Sequence, residues 1–237
     1  LLTFVQQKVP VIMSDFSKIE TVSPSSLKTL IKNKVLATHQ RIMDRLPPKL
    51  SADDPLMSLS DHQLEAKSTI ETHWKTKDIV LLHGITGSGK TEVYMHLIAQ
   101  QLTKGKQVLF LVPEIGLTTQ LMQRLHTFFG KQLAVYHSRY SPQERTETWN
   151  KILANKGEAR LVLGARSAVL LPFQNLGLVV VDESHEMSYK QYEASPRYHA
   201  RDAAMVLSRM HQAKVILGSA TPSVESYSHA QSGKYGL

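Results

Sequence analysis

The chain of 237 residues contains no cysteine. Within these residues that excludes disulfides and thiolate-bound zinc, and it is compatible with a reducing cytoplasm without requiring one. No apolar run approaches the roughly eighteen residues of a membrane helix, and no signal-peptide pattern is present. Long low-complexity tracts are missing too, and a hydrophobic content of 42% belongs to folded rather than disordered protein. The eleven histidines show no metal-ligand spacing, and no Ser-His-Asp or paired-carboxylate hydrolase arrangement stands out. Acidic residues are the scarcer charge, 20 against 28 Lys and Arg, giving a net charge of +8. A basic balance suits a polyanionic partner but equally a solvated basic surface. Its placement says more: residues 1–50 hold eight Lys/Arg against three Asp/Glu, so the first fifth carries +5. The first residue is Leu and nothing at Tyr235-Gly236-Leu237 reads as a folded terminus, so the chain reads as an excised fragment.

Three regions are expected. Residues 1–46 have short helical signals: Ser23-Pro24 is a helix start, and Leu27, Leu30 and Ile31 recur at helical spacing with Lys28, Lys32 and Lys34 off that face. A β-like run, Val35 to Ile42, follows. That outline is a partial winged-helix-like DNA-binding domain, or a small helical adaptor. Residues 47–58, with Pro47-Pro48 and Asp53-Asp54-Pro55, form a linker. From residue 59 to 237 strands (79–83, 107–112, 133–137, 160–164, 178–182, 214–218) alternate with helical patterns (61–74, 91–103, 117–129, 142–155, 199–210, 222–230). The fold class is therefore α/β, a RecA-like P-loop NTPase lobe whose parallel sheet is flanked by helices. Ligands on such sheets sit beyond the carboxyl ends of the strands.

Two motifs at strand ends carry the chemistry. Gly84-Ile85-Thr86-Gly87-Ser88-Gly89-Lys90-Thr91 follows an apolar run and opens a helical pattern, as a phosphate-binding loop must. Its backbone N–H groups can close around phosphates, Lys90 can reach the β- and γ-phosphates, and the Thr91 hydroxyl can ligate Mg²⁺. Val179-Val180-Val181-Asp182-Glu183-Ser184-His185 ends a β-branched strand with Asp182 for the metal and Glu183 for an attacking water. In this order, within an α/β pattern, the pair predicts ATP binding with Mg²⁺, and His185 narrows the class to DExH motor proteins. Gln63, upstream, stands in a capping box, Ser60-Asp61-His62-Gln63, with its side chain returning to the cap's own N–H.

Further segments lie at strand ends: Val112 to Thr118, with Pro113, Gly116 and Thr118; Gly164 to Ala168, with Arg166 and Ser167; and Gly218 to Thr221, with Ser219 and Thr221. Tyr189, Tyr192 and Tyr198 put three of the eight tyrosines just past Asp182-Glu183, interleaved with Lys190, Arg197 and Arg201. Such a loop suits unpaired bases and their phosphates, although Tyr189 and Tyr192, three apart, can also share a helical face and pack. His137-Ser138 ends a strand and either touches DNA or caps the next helix, whereas His199 reads as a structural contact.

These segments resemble motifs Ia, Ib and III of the superfamily 2 helicases, and their wording is similar to the primosomal replication-restart helicases. The residues that carry the likeness are Gly84 to Tyr94, Val112 to Thr118, Gly164 to Ala168, Asp182 to His185, Ser188 to Gln191, Arg197 to Asp202 and Gly218 to Ser223 with Glu225. It runs from about Ser60 to Leu237. Ser184 stands where the family usually has a second acidic residue, and Arg139 where it usually has Gly. The resemblance implies a bacterial cytoplasmic DNA helicase of 3′→5′ polarity that hydrolyses ATP on single-stranded and forked DNA during replication restart. Single-stranded DNA-binding protein and primosome components would be its partners. It implies that His185 couples to Ser219 and Thr221, that Pro113, Gly116, Thr118, Arg166 and Ser167 line the DNA backbone, and that the tyrosine-rich loop couples DNA to hydrolysis. Similar proteins carry a glutamine upstream of the phosphate loop that reads adenine through its amide, which leaves Gln63 either that role or the capping box alone. A second lobe with an arginine finger, and zinc-binding cysteines, would belong to the missing part, leaving this lobe a nearly inactive monomer. The rival readings are another superfamily 2 translocase and a winged-helix regulator that senses nucleotide without hydrolysing it.

Overall fold

The computed structural model describes residues 24–33, 35, 56, 58–116, 118–137, 140–193 and 195–237. The chain divides into two compact units, Leu1–Pro48 and Lys49–Leu237. In the first, helix α1 (Pro24–Lys32) is described, with Leu30 and Ile31 half-buried and Lys32 exposed. The remaining residues of the winged-helix expectation, and the β-like run beyond Val35, lie outside the described residues.

The second unit is built on six parallel strands: β1 (Ile79–His83), β2 (Gln107–Leu111), β3 (Leu133–Tyr136), β4 (Leu161–Gly164), β5 (Leu176–Val181) and β6 (Lys214–Ser219). All pairings are parallel, in the spatial order β1-β6-β5-β2-β4-β3. Parallel strands need long crossovers. Helix α2 (Asp61–His73) precedes β1. Helices α3 (Lys90–Thr103), α4 (Thr119–Phe129), α5 (Pro142–Ala154) and α6 (Ala200–His211) supply all but the β4-to-β5 link, which carries a 3-10 turn (Arg166–Leu170), and α7 (Val224–Gln231) follows β6. The strands are near-continuous Val, Leu and Ile because both faces are covered. Alternate residues separate into two cores. Leu109, Leu111, Val179 and Val181 meet Ile152 of α5 and Ala200 and Ala204 of α6. Val108, Phe110, Leu178 and Val180 meet Ile70 of α2, Val93, Tyr94, Leu97 and Ile98 of α3, and Leu125 of α4. The helices thus lie on both faces, as the alternation predicts.

Strand order decides which loops meet. β6 lies between β1 and β5, pairing His83 with Ser219 on one side and Val181 with Leu217 on the other. The carboxyl ends of β1, β6, β5 and β2 therefore line up along one edge, bringing Gly84, Ser219, Asp182 and Val112 into one row.

One buried polar residue fastens the opposite end of the sheet. Gln107, fully buried, donates from Nε2 to the Ile152 carbonyl (2.8 Å) and accepts on Oε1 from the N–H groups of Gln174 (2.7 Å) and Asn175 (3.0 Å). Each buried polar group left without its partner costs about 1–3 kcal/mol. Gln107→Leu is therefore expected to lower the unfolding free energy by about 3 kcal/mol. Denaturant titration checks this, and a loss below about 1 kcal/mol would mean that the three backbone groups find other partners.

Candidate nucleotide and DNA site

The phosphate loop leaves β1 at Gly84, whose N–H donates to the Ser219 carbonyl at 3.1 Å, and closes on Gly89 at the start of α3. Gly89 has φ +82°, a conformation that disfavours side chains, and a Cβ there would lie 2.1 Å from Gln63 Nε2. The backbone conformation requires glycine; the Gln63 amide is the tip of a flexible side chain and can shift aside. Lys90, the first residue of α3, is 9% exposed, and its Nζ donates to the carbonyls of Gly84 (2.7 Å) and Ile85 (3.2 Å). The ammonium thus rests inside the loop it would share with a phosphate. The N-terminus of α3 adds its N–H groups and its positive dipole end. Thr86, Gly87 and Ser88 are exposed and Thr91 is half-buried. Gln63 completes the capping box with Ser60: its Oε1 accepts from the Ser60 N–H at 2.9 Å, and its Nε2 donates to the Gly89 carbonyl at 3.4 Å. Both ends of its amide are engaged within the protein.

Beyond β5, Asp182 to His185 form a turn in which Glu183 takes φ +44°. A non-glycine residue in this left-handed region is uncommon and stores backbone strain. The Asp182 carboxyl is held above the usual carboxylate range, first by burial and then by the neighbouring Glu183 charge, against the opposing Tyr94 hydrogen bond and Lys90 charge. The Tyr94 hydroxyl donates to Asp182 Oδ1 at 3.1 Å, and the Tyr189 hydroxyl donates to the Asp182 carbonyl at 2.6 Å. Burial first, then the Asp182 charge, pushes the Tyr94 phenol well up, so it stays a donor. His185 Nδ1 shares a 2.8 Å hydrogen bond with Ser219 Oγ and lies 3.6 Å from Glu183 Oε2. The Thr221 N–H donates to the same Ser219 hydroxyl at 3.0 Å, and the Ser184 N–H donates to the Gly218 carbonyl at 2.8 Å. Asp182, Glu183 and His185 line a cavity of about 330 Å³ together with Val112, Pro113 and Gly116.

The donor set suits Mg²⁺. A hydroxyl and a carboxylate are hard oxygen ligands, and Mg²⁺ is usually bound through one or two protein ligands plus substrate phosphates and water. Among the described residues no group of three or more His, Asp or Glu forms an all-protein metal cage.

The sequence pattern of the DEAD/DEAH box helicase family matches residues 60–229. The chain belongs to the DEAD/DEAH box helicase family. Use of a nucleotide, ATP, comes with that membership. The replication restart protein PriA of Bacillus subtilis is 43% identical over 234 residues, covering 97% of this chain and 28% of that protein. PriA of Haemophilus influenzae is 43% identical over 205 residues, covering 86% of this chain and 27% of that protein. The chain thus spans little more than a quarter of the length of these relatives. Among solved helicases, RecG bound to a three-way DNA junction is similar with a TM-score of 0.54 at 22% identity, over 90% of this chain and 25% of that one. The Pyrococcus furiosus Hef helicase domain gives 0.51 at 21% identity, over 73% of this chain and 36% of that one. These likenesses establish the shared helicase fold.

Several expected DNA contacts of this DEAD/DEAH box lobe are placed otherwise. Tyr189 is fully buried at the end of a 3-10 turn (Met187–Tyr189) and has no face to offer a base. The stacking role expected of it is corrected: it is a core residue hydrogen-bonded to Asp182. Tyr192 lies outside that turn and is 51% exposed with Lys190 Nζ 4.8 Å from its ring centroid, so the two tyrosines share no helical face. Tyr198 is half-buried, its hydroxyl donating to the Arg166 carbonyl at 3.4 Å. Arg166 turns its Nη1 to the carbonyls of Ser188 (3.2 Å) and Lys190 (2.9 Å), anchoring the tyrosine-bearing loop instead of reaching out. Thr118 caps α4 by accepting from the Leu121 N–H at 3.2 Å, Pro113 and Ser219 are buried, Gly116 and Ser167 are half-buried, and Thr221 is exposed. Ser138 and Arg139 lie outside the described residues. Sequence reasoning gave Tyr94 no role beyond closing the segment Gly84 to Tyr94. Its signal was there: one turn beyond Lys90, among Val93, Leu97 and Ile98, a tyrosine tip on a buried face needs an acceptor.

Holding Asp182 ionised in this setting works against folding. Its folded-state pKa is raised, so the folded form holds its proton more tightly than the unfolded chain, and stability falls as pH rises through the carboxylate range. Asp182→Asn is therefore expected to raise the melting temperature of the nucleotide-free chain at neutral pH. The gain should vanish as pH falls below the unfolded Asp range, where both states are protonated. A thermal-melt series across pH tests this; a pH-independent difference, or a loss at neutral pH, would contradict it.

Proposed function

We propose that this chain is the nucleotide-binding lobe of an ATP-dependent DNA helicase of the replication-restart type, acting in the cytoplasm of a bacterium. The observation that carries the reading is the meeting of three strand ends, with His185 bonded to Ser219 at 2.8 Å between the phosphate loop and Asp182-Glu183. The restart role follows the names of the PriA relatives, and the 3′→5′ polarity follows the resemblance read from the sequence. A likeness to RecG at 22% identity supports the fold and does not favour the translocase reading over relatives at 43%.

In this reading the Lys90 ammonium moves from the Gly84 and Ile85 carbonyls to the β- and γ-phosphates, and Gly84, Thr86, Gly87, Ser88 and Gly89 surround them. Thr91 and Asp182 would hold Mg²⁺, whose charge would offset that of the phosphates. Glu183 orients the attacking water and accepts its proton, and His185 passes the state of that site to Ser219 and Thr221. Adenine contact by Gln63 requires its amide to be released from Ser60 and Gly89.

Single-stranded and forked DNA would run past Gly116, Ser167 and the Tyr192–Lys190 pair, whose exposed aromatic face and cation suit an unpaired base and its phosphate. Tyr198 supports that loop through Arg166. Tyr189 then carries loop movement to Asp182. Single-stranded DNA-binding protein and primosome components are partners of the intact protein, and zinc belongs to its other parts. The lobe alone is a monomer that binds Mg-nucleotide weakly and hydrolyses it poorly, since an arginine finger is worth about 10³–10⁵ in rate.

In the intact protein, Lys90→Ala should weaken nucleotide binding, whereas Glu183→Gln should keep binding and abolish turnover. Equilibrium binding and steady-state ATPase separate the two; equal loss of binding in both variants would mean that the roles are misassigned. Tyr192→Ala should raise the single-stranded DNA concentration needed for half-maximal ATPase stimulation about tenfold, at an unchanged melting temperature, because stacking is worth about 1–3 kcal/mol per base. Tyr189→Ala should instead lower the melting temperature by several degrees, as a truncated core aromatic costs about 3–5 kcal/mol. Normal DNA stimulation in Tyr192→Ala would remove this residue from the DNA path.

A further inference from the structure

We propose that Tyr94 is a positioning residue for the metal-binding carboxylate, its buried hydroxyl fixing the orientation in which Asp182 presents itself to Mg²⁺. The proposal rests on the nucleotide-site reading above and assigns a role to a residue outside the loop and the DExH box.

Three observations carry it. The side chain is fully buried, with its hydroxyl 3.1 Å from Asp182 Oδ1 and its ring set edge-on to Phe110 (centroids 5.7 Å, 75°). The donor therefore has no freedom to swing away. Tyr94 also stands on the same helix as Lys90 and Thr91, one turn on, so a single rigid element presents the phosphate-binding ammonium, the metal-binding hydroxyl and the donor that holds the metal-binding carboxylate. Gly218 supplies the third observation. A Cβ there would lie 1.7 Å from the Tyr94 hydroxyl oxygen, 2.9 Å from Cζ and 3.2 Å from Asp182 Oδ1. Its φ is outside the left-handed region. What the position requires is room: the missing side chain is the space in which the hydroxyl meets the carboxylate.

With Tyr189 donating to the Asp182 carbonyl at 2.6 Å, two tyrosines hold one residue at its backbone and at its carboxylate. A ligating carboxylate that is free to rotate loses order on binding metal, and outer partners that fix it are typically worth 10–100-fold in metal affinity. The competing account is that Tyr94 is a core aromatic whose polar tip merely found the nearest acceptor.

The two accounts part in Tyr94→Phe, which keeps the ring and removes the oxygen. In the intact protein, a fluorescent ATP analogue is titrated without metal and over a range of Mg²⁺ concentrations, beside melting curves, for wild type, Lys90→Ala and Tyr94→Phe. The expected result is metal-free affinity equal to wild type and a Mg²⁺ midpoint raised about 10–100-fold. Gly218→Ala, which pushes the hydroxyl off Asp182, should shift the midpoint in the same direction. An unchanged midpoint overturns the proposal whether or not stability falls, and so does an equal loss of affinity with and without Mg²⁺. A Tyr94→Phe protein that no longer folds would make Tyr94 a core residue and overturn it as well. Wild-type protein that binds the analogue no better than Lys90→Ala would instead bring down the nucleotide-site reading, and this proposal with it.

Discussion

The position of β6 between β1 and β5 is the constraint on which the rest of the site depends. Its register sets Ser219 beside His83 and Leu217 beside Val181, so the last residue of the strand emerges between the phosphate loop and Asp182-Glu183. From there its backbone and side chain serve both neighbours: the Ser219 carbonyl accepts from Gly84, its hydroxyl meets His185, and the Gly218 carbonyl accepts from Ser184. The core strands of the sheet are buried on both faces and close-packed, so they do not deform gradually. In the proposed function, motion at one loop would pass to the other through these few hydrogen bonds at a strand end.

The same edge gathers several unfavourable terms. Asp182 and Glu183 are adjacent like charges, Glu183 is held at φ +44°, and Lys90 is nearly buried on carbonyls. A residue held in that backbone region costs about 1–3 kcal/mol and persists only where its surroundings over-determine it. Here the surroundings are specific. The Tyr94 and Tyr189 hydroxyls hold Asp182, and the apolar rows of β2 and β5 hold the strand from which it emerges. An ion pair between Arg124 and Glu92 ties α4 to the helix that bears Lys90. The fold tolerates an unfavourable site because the sheet beneath it is conventional.

That conventional part was the legible part. All six strands and the six helices around them lie within two residues of the bounds read from apolar runs and 3.6-residue periodicity, because full burial on both faces leaves a plain signature. The phosphate loop and the Asp182-Glu183 pair were legible for a different reason: few residue types can do that chemistry. Side-chain direction was not legible. Tyr189 sits in a polar stretch and reads as exposed, yet a 3-10 turn folds it under the loop onto the Asp182 carbonyl. Arg166 reads as a phosphate contact, but it satisfies carbonyls of a segment more than twenty residues on, a pairing set by tertiary structure alone. Tyr94 entered only as the last residue of the segment Gly84 to Tyr94 and carried no role, since the opening that Gly218 leaves for its hydroxyl is set by tertiary structure.

In the proposed function Lys90 and Asp182 converge on one Mg-nucleotide at this strand edge. A crystal structure of the chain with Mg²⁺ and a non-hydrolysable ATP analogue tests it most directly. The predicted result has Lys90 Nζ withdrawn from the Gly84 and Ile85 carbonyls onto the phosphates, the metal on Thr91 and Asp182, and the Tyr94 hydroxyl still on Asp182 Oδ1. An analogue bound elsewhere, or bound here with Lys90 still on those carbonyls and Asp182 apart from the metal, would contradict it.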